Sequence, residues 1–410
     1  MLTHSTARQL YEYAQTLPVI DAHEHFISEP EHVKQYLSFF DYLGYSKHDL
    51  ASAGAGGDVF APQPANEEEA IALFARIKPY WEYIKTGSYS RPALLAIKKF
   101  HDCDDFTDES IIKIGRELNA SNKPGLYDEI FNLCKIEKIL NQNALNDEKA
   151  FADKRFCYGI LHEGNYNKRL NNFFTATPKG SYDDFLDAFK AEMDEEHKRG
   201  AVLQKFFPDI FICPPDEKEA RAEFENMRLS HRTAGNDTQP SPVLSATIAH
   251  ERIKQCAEQG IVVAIHTGVW GNVPRLSPGH LFSLFESHWG TGVTFDVYHM
   301  GIPYVRECAY LGKNYPFVNL NLCWTHSVSE QMTRHAINEY LDIVPVNKIF
   351  GFGGDICTLP QHVWGQLHHA LENLSEAFAH RINIGRMDMD YAKMVMRLWL
   401  YDNPKRVYKL

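Results

Sequence analysis

Residues 19–26 read V-I-D-A-H-E-H-F, a short apolar run that ends in two histidines one residue apart, His23 and His25. Alternate residues of a β-strand project to the same face. A strand over residues 18–22 therefore aims both imidazoles to one side, where they can share one cation. Alone, such a pair fits a surface turn equally well, so the reading depends on whether the pattern recurs. His266 ends I-V-V-A-I-H (261–266) and precedes Thr267 and Gly268. His299 ends V-T-F-D-V-Y-H (293–299) and precedes Met300 and Gly301, while Asp355 follows K-I-F-G-F-G-G (348–354). A histidine or aspartate just past an apolar run, with glycine nearby, thus marks four strand ends. Catalytic residues of a parallel barrel come from several strand ends.

Eight short apolar runs can be drawn along the chain, at 18–22, 136–141, 156–161, 201–206, 261–266, 293–299, 316–322 and 348–352. Most are followed by amphipathic stretches, the rhythm of βα units on a parallel sheet. The last four runs recur every 23–32 residues, the size of one such unit. The runs at 136 and 156 fit a helix equally well. Eight units predict an α/β fold, a (β/α)8 TIM barrel formed by residues 1–26 and 136–410. Residues 27–135 are too long for a loop and carry helical patterns at 67–85, 91–100 and 108–120. They are predicted to be a helical insertion after strand one, lying over the barrel mouth. The Gly/Ala/Pro-rich stretch 51–66 is expected to be a mobile loop. A second departure after strand four holds a helical stretch at 214–231 and a polar loop at 233–242, and a helix at 391–403 closes the chain.

The balance of 42 basic against 53 acidic residues gives a formal charge of −11. No basic block is present, which argues against nucleic acid as a partner, and the acidic surplus argues against an anionic membrane surface. No run of 18 apolar residues and no apolar leader is seen, so neither a membrane span nor a secretory signal is expected. The eight cysteines form no C-x-x-C pair; free thiols in a reducing cytoplasm are the simplest reading. The expected partner is a small-molecule substrate, and a homo-oligomer is compatible with all of this.

The strand-end set His23-x-His25, His266, His299 and Asp355 resembles the amidohydrolase superfamily, and so does the closing phrase L-Y-D-N-P-K-R-V-Y (400–408). The stretches V-N-L-N-L-C-W-T-H (318–326) and K-I-F-G-F-G-G-D (348–355) look most like its amidohydrolase-related (amidohydrolase-2) branch, which holds hydrolases and decarboxylases. The insertion resembles that of the more distant uronate isomerases. The resemblance implies a divalent metal, zinc by ligand type, on His23, His25, His266 and Asp355. In binuclear members a lysine at the position of Lys205, at the end of A-V-L-Q-K-F (201–206), is carboxylated and bridges two ions. We expect one ion here and Lys205 as an amine that meets substrate.

The expected chemistry is metal-dependent hydrolysis of a small anionic amide, ester or lactone, with Asp355 and His299 as catalytic groups. The alternatives are a decarboxylase or a uronate-type isomerase, and, outside catalysis, a ligand-binding barrel. Arg91 and Tyr89 in the insertion, and Trp324 and His326 after strand seven, are expected to touch substrate; an arginine fork suits a carboxylate. His101, His250, His280, His288, His368 and His369 lie away from strand ends and are read as bystanders.

Overall fold

The computed structural model describes residues 2, 4–60, 63–142, 153–160, 166–234, 239–269, 271–356 and 359–410. Eight strands form one sheet in the order β1 to β8: Val19–Glu24, Ile136–Asn141, Phe156–Ile160, Ala201–Phe206, Val262–Ile265, Phe295–Tyr298, Val318–Asn321 and Ile349–Phe350. The described pairings are parallel, with Asp21 opposite Ile139, Lys205 opposite Ala264, and Val263 opposite Phe295. Among the described residues, helices separate every consecutive pair of strands except β2 and β3, and the fold is the (β/α)8 barrel that the rhythm of the sequence predicts. The runs at 136 and 156 are strands. β1, β5, β6, β7 and β8 are buried at every position; β5 and β8 are wholly apolar, while β1, β6 and β7 also bury Asp21, His23, Glu24, Asp296, Asn319 and Asn321.

By its internal contacts the chain divides into two compact units, residues 1–156 with 321–406 and 410, and residues 157–320 with 407–409. In the first unit, backbone hydrogen bonds join the first and last strands: Ala22 N donates to Phe352 O (3.2 Å) and Asp355 N to His23 O (2.9 Å). The side-chain amide of Asn403, from the closing phrase, donates to Val346 O and Ile349 O, both at 2.9 Å, and fixes the start of β8. Residues 27–135 are helical, with the longest helices at Glu67–Ile84, Ser90–His101 and Asp108–Ser121. Asn66 caps the first of these and three glutamates occupy its opening turn, both favourable at a helix N-terminus. Phe39, Phe74, Trp81 and Phe106 fill the core between these helices. The stretch expected to be a mobile loop is turned instead into a π-helical segment, Ala51–Ala55, and a 3-10 segment, Gly57–Phe60. Gly54 permits this with φ 107°, a value side chains resist.

In the second unit the helix Tyr182–Lys198 begins at a Ser181 capping box, and the helix expected at 214–231 spans Glu217–Ala234. Part of the expected polar loop, 235–238, lies outside the described residues. The loops after β5 and β6 are closely interlocked: Val269 N donates to Ile302 O at 2.7 Å. A methyl group on Gly268 would meet that same oxygen at 2.2 Å. Tyr408 Oη donates to Asp296 Oδ2 (2.7 Å) beneath β6.

Five histidines set aside as bystanders, His101, His250, His288, His368 and His369, are buried. Burial lowers His250, His288 and His368 to about 4, and it lowers His362 to about 4 and His326 to about 3. The native state keeps these rings neutral while the unfolded chain binds protons near pH ~6.5. Stability should therefore fall as pH falls from ~6.5 towards ~4, because the unfolded state then binds more protons. Melting temperatures at pH 7, 6 and 5 should decrease in that order; a flat series would show that the rings are already charged in the fold.

Candidate functional site

β1 carries its histidines to the end of the strand as expected. His23 is fully buried, and the side chain of His25 is about one-fifth exposed. The two rings stand nearly perpendicular, with centroids 5.0 Å apart. His23 Nε2 lies 3.3 Å and His25 Nε2 3.5 Å from one atom, Oδ1 of Asp355. This spacing is the relevant test for a metal. With zinc–ligand bonds of ~2.0–2.1 Å, neighbouring ligands of a tetrahedral ion sit ~3.3–3.4 Å apart. The donor set, two imidazole nitrogens and a carboxylate oxygen, also suits zinc and related ions. In donor type, and in these two imidazole–carboxylate spacings, the residues present suit a divalent cation.

The loop after β8 is clamped against β1. Gly354 N donates to Asp21 Oδ1 (3.1 Å), Asp355 N to His23 O (2.9 Å) and Ile356 N to Glu24 Oε2 (2.7 Å). His25 N returns a bond to Ile356 O at 3.2 Å. Glycine is required in the loop because a methyl group on Gly354 would lie 2.1 Å from Glu24 Oε1, and one on Gly353 2.9 Å from His23 Cβ. Asp21 and Glu24 are wholly buried, each accepting a backbone amide of the loop on one oxygen. Burial pushes the Asp21 carboxyl up to about 7. Burial, then the charge of Asp21, pushes Glu24 up as well. Neither carboxyl stood out in the sequence, although both lie within V-I-D-A-H-E-H-F. They hold the loop that carries Asp355.

Tyr45 is a second group the sequence reading missed. It comes from the insertion and donates from Oη to Asp355 Oδ1 at 3.1 Å. Its ring packs 4.5 Å from Trp324 and 5.9 Å from Tyr89, and Tyr89 stacks on Trp324 at 24°. Burial, then Asp49 and Asp355, raises the Tyr89 hydroxyl far above its ordinary range. The expected residues Tyr89 and Trp324 are thus brought together beside Asp355, with Tyr45 between them and the carboxylate. His326 is buried under β8, with Nε2 3.0 Å from Gly351 O. Arg91 pairs with Glu372 (Nη2–Oε1 2.9 Å). It lines a separate cavity of about 430 Å³ with Lys85, Glu330 and Arg334, and it is not gathered with the His23–His25–Asp355 cluster.

In the second unit, His299 Nε2 is 3.0 Å from His266 Nδ1, and His266 Nε2 is 3.1 Å from Val269 O. The simplest proton placement has His266 Nε2–H donating to Val269 O and Nδ1 accepting from His299. Lys205 is buried, with Nζ 5.8 Å from the Tyr298 ring centroid. Backbone strain marks several of these positions. His299, Met300, Trp324 and Asp355 have φ of 66°, 54°, 63° and 55°, left-handed values that are uncommon for residues other than glycine and cluster at functional sites.

No family model matches the chain. The fluG protein of Emericella nidulans is 29% identical over 150 residues, 36% of this chain and 17% of that protein. The uronate isomerase of Bacillus licheniformis is 23% identical over 258 residues, 55% of this chain and 52% of that enzyme. The chain thus matches about half, or less, of the length of these curated relatives. Among solved structures, uronate isomerase of Thermotoga maritima superposes with a TM-score of 0.77 at 13% identity, covering 99% of this chain and 98% of that one. A proposed metal-dependent hydrolase of Lactobacillus casei does so with a TM-score of 0.68 at 15% identity, covering 98% and 97%. These likenesses agree with the barrel fold along its length.

The clamp on the β8 loop gives a direct prediction. Gly354→Ala should lose roughly 1–3 kcal/mol or more, as over-packing does. Gly57→Ala, where a methyl group meets nothing within 4 Å, should stay within about 0.5 kcal/mol of wild type. Chemical denaturation of both variants measures the difference. Equal stabilities would mean that Glu24 yields freely and does not hold the loop.

Proposed function

We propose that this protein is a divalent-metal-dependent enzyme that isomerises a small sugar acid, with the ion held by His23, His25 and Asp355. The observation that carries the metal is the meeting of two imidazole Nε2 atoms on one carboxylate oxygen at 3.3 and 3.5 Å. The reaction class is suggested by the uronate isomerase relative matched over 258 residues. When bound, the ion supplies Lewis acidity to a substrate oxygen.

The protein's own groups do the rest. Asp355 Oδ1 faces the imidazoles, and its Oδ2 takes and returns the proton that moves between substrate carbons. Tyr45, through its bond to Oδ1, holds the carboxylate in one rotamer. Tyr45, Tyr89 and Trp324 form an aromatic wall that packs against the apolar face of a sugar ring and keeps water from Asp355. His266 and His299 enter this reading through the fold class, since barrel enzymes draw catalytic groups from several strand ends. His266 is the candidate for a further ligand and His299 the candidate to polarise a substrate oxygen. Lys205, as a free amine, is the candidate to meet the substrate carboxylate. A second reading, hydrolysis by the same carboxylate, is favoured by the likeness to the proposed hydrolase.

Two measurements test this. Purified protein should contain about one equivalent of a divalent metal, unchanged in Lys205→Ala and lost in His23→Ala/His25→Ala; a double variant that keeps its metal sinks the site. A panel of uronic acids, lactones, amides and ring carboxylates should then be run in deuterated, oxygen-18 water. Isomerisation interconverts an aldose and a ketose with no net hydrolysis, whereas hydrolysis leaves solvent oxygen in the product and decarboxylation releases carbon dioxide. Asp355→Asn should lower kcat at least ~10²-fold, the lower end for a general acid–base group.

A further inference from the structure

We infer that Gln142 is a positioning residue which selects the proton-bearing nitrogen of His23, and so sets whether His23 can ligate. The inference rests on the reading of His23 as a metal ligand. Gln142 lies directly past β2 and is fully buried. Its side-chain Nε2 sits 2.5 Å from His23 Nδ1. Its backbone N donates to Glu24 O at 2.7 Å. The neighbouring Asn141 side chain accepts from Phe26 N (2.7 Å) and donates to Phe26 O (3.0 Å). The strand end that carries Gln142 is therefore fastened to β1 on both sides of His25, and the amide has little room to leave Nδ1.

The chemistry of a neutral imidazole gives this contact two states, since one ring nitrogen donates and the other accepts. With the amide nitrogen facing Nδ1, Gln142 donates and Nδ1 accepts. The ring proton is then on Nε2, directed at Asp355 Oδ1 3.3 Å away. That tautomer has no lone pair for an ion at Nε2. Turning the carboxamide by 180° places its oxygen in nearly the same position. The amide then accepts from Nδ1–H, and Nε2 presents its lone pair to the ion. The ring stays neutral throughout; its proton moves from Nε2 to Nδ1. A glutamine can serve both states because it carries a donor and an acceptor of almost equal size. Ligating histidines commonly need such a partner on the second nitrogen, and its loss typically costs 10–100-fold in metal affinity.

The experiment compares wild type, Gln142→Met and Gln142→Glu in full-length protein. Methionine keeps the bulk and removes both roles, while glutamate keeps only the acceptor. Binding of zinc and of cobalt is measured by competition with a chelator. ¹⁵N-histidine NMR reads the His23 tautomer in the metal-free and zinc-loaded protein. Gln142→Met should bind metal about 10–100-fold more weakly, and Gln142→Glu should match or exceed wild type. In wild type the His23 proton should move from Nε2 to Nδ1 on loading. Melting of the metal-free proteins separates misfolding from this effect. If Gln142→Met binds as wild type does, or Gln142→Glu is as weak as Gln142→Met, Gln142 does not set the tautomer. A wild-type protein that binds neither ion overturns the metal reading itself, and this inference with it.

Discussion

The junction of the first and last strands is the constraint on which the candidate site depends. Three successive amides of one loop, those of Gly354, Asp355 and Ile356, donate to Asp21, to the His23 carbonyl and to Glu24. These bonds do two things at once. They extend the sheet from β8 to β1, and they fix Asp355 relative to His23 and His25 through main chain and not through flexible side chains. A site built on rigid elements holds its geometry better than one on free loops. The 3.3 and 3.5 Å separations of imidazole and carboxylate follow from that scaffold.

The same junction explains two buried carboxyls that would otherwise be a liability. Burying an ionised carboxylate is costly unless it is neutralised or well bonded. Asp21 and Glu24 offset that cost by accepting loop amides. Desolvation raises both, so the pair retains a proton more readily than free carboxyls do. Shape enforces the arrangement as well as charge, since glycine at 354 leaves the space that Glu24 Oε1 occupies.

Much of this was legible in the sequence, for physical reasons that also mark where legibility ends. Buried parallel strands favour apolar residues on both faces, so β5 to β8 announce themselves as runs that recur every 23–32 residues. Polar residues at strand ends interrupt those runs, which is what marks His23, His25 and Asp355 in the sequence. Tyr45 and Gln142 carried no such mark. Tyr45 is one aromatic residue among several in F-D-Y-L-G-Y (40–45), and its role depends on a contact with Asp355 across 310 residues. Arg91 shows the converse. Its residue type suits an anion, yet its guanidinium meets Glu372, a partner 281 residues away that no local pattern foretells. The stretch 51–66 reads as a mobile loop from its glycines, alanines and prolines, and helical turns form over 51–60, where Leu50 and Val59 are buried in the insertion core.

Backbone conformation supplies an argument about the site that composition does not. Left-handed φ values at non-glycine residues cost of order 1–3 kcal/mol each and persist only where the surroundings over-determine them. Here they include His299 after β6, Trp324 after β7 and Asp355 after β8, alongside Asp102, Lys135, Met300 and Lys409. Each of the first three is fixed locally. Trp324 N donates to Gly353 O (2.9 Å), Asp355 N to His23 O (2.9 Å), and the His299 carbonyl accepts from Ile302 N (3.1 Å). Glycine or asparagine would adopt these angles with less strain. Histidine and aspartate enter this region more readily than most side chains, so the indole of Trp324 is the group retained most clearly against the preference of the backbone. At three of the strand ends where the sequence points to function, the chain thus turns through a left-handed residue, and at Trp324 the fold bears a clear conformational cost to present that side chain.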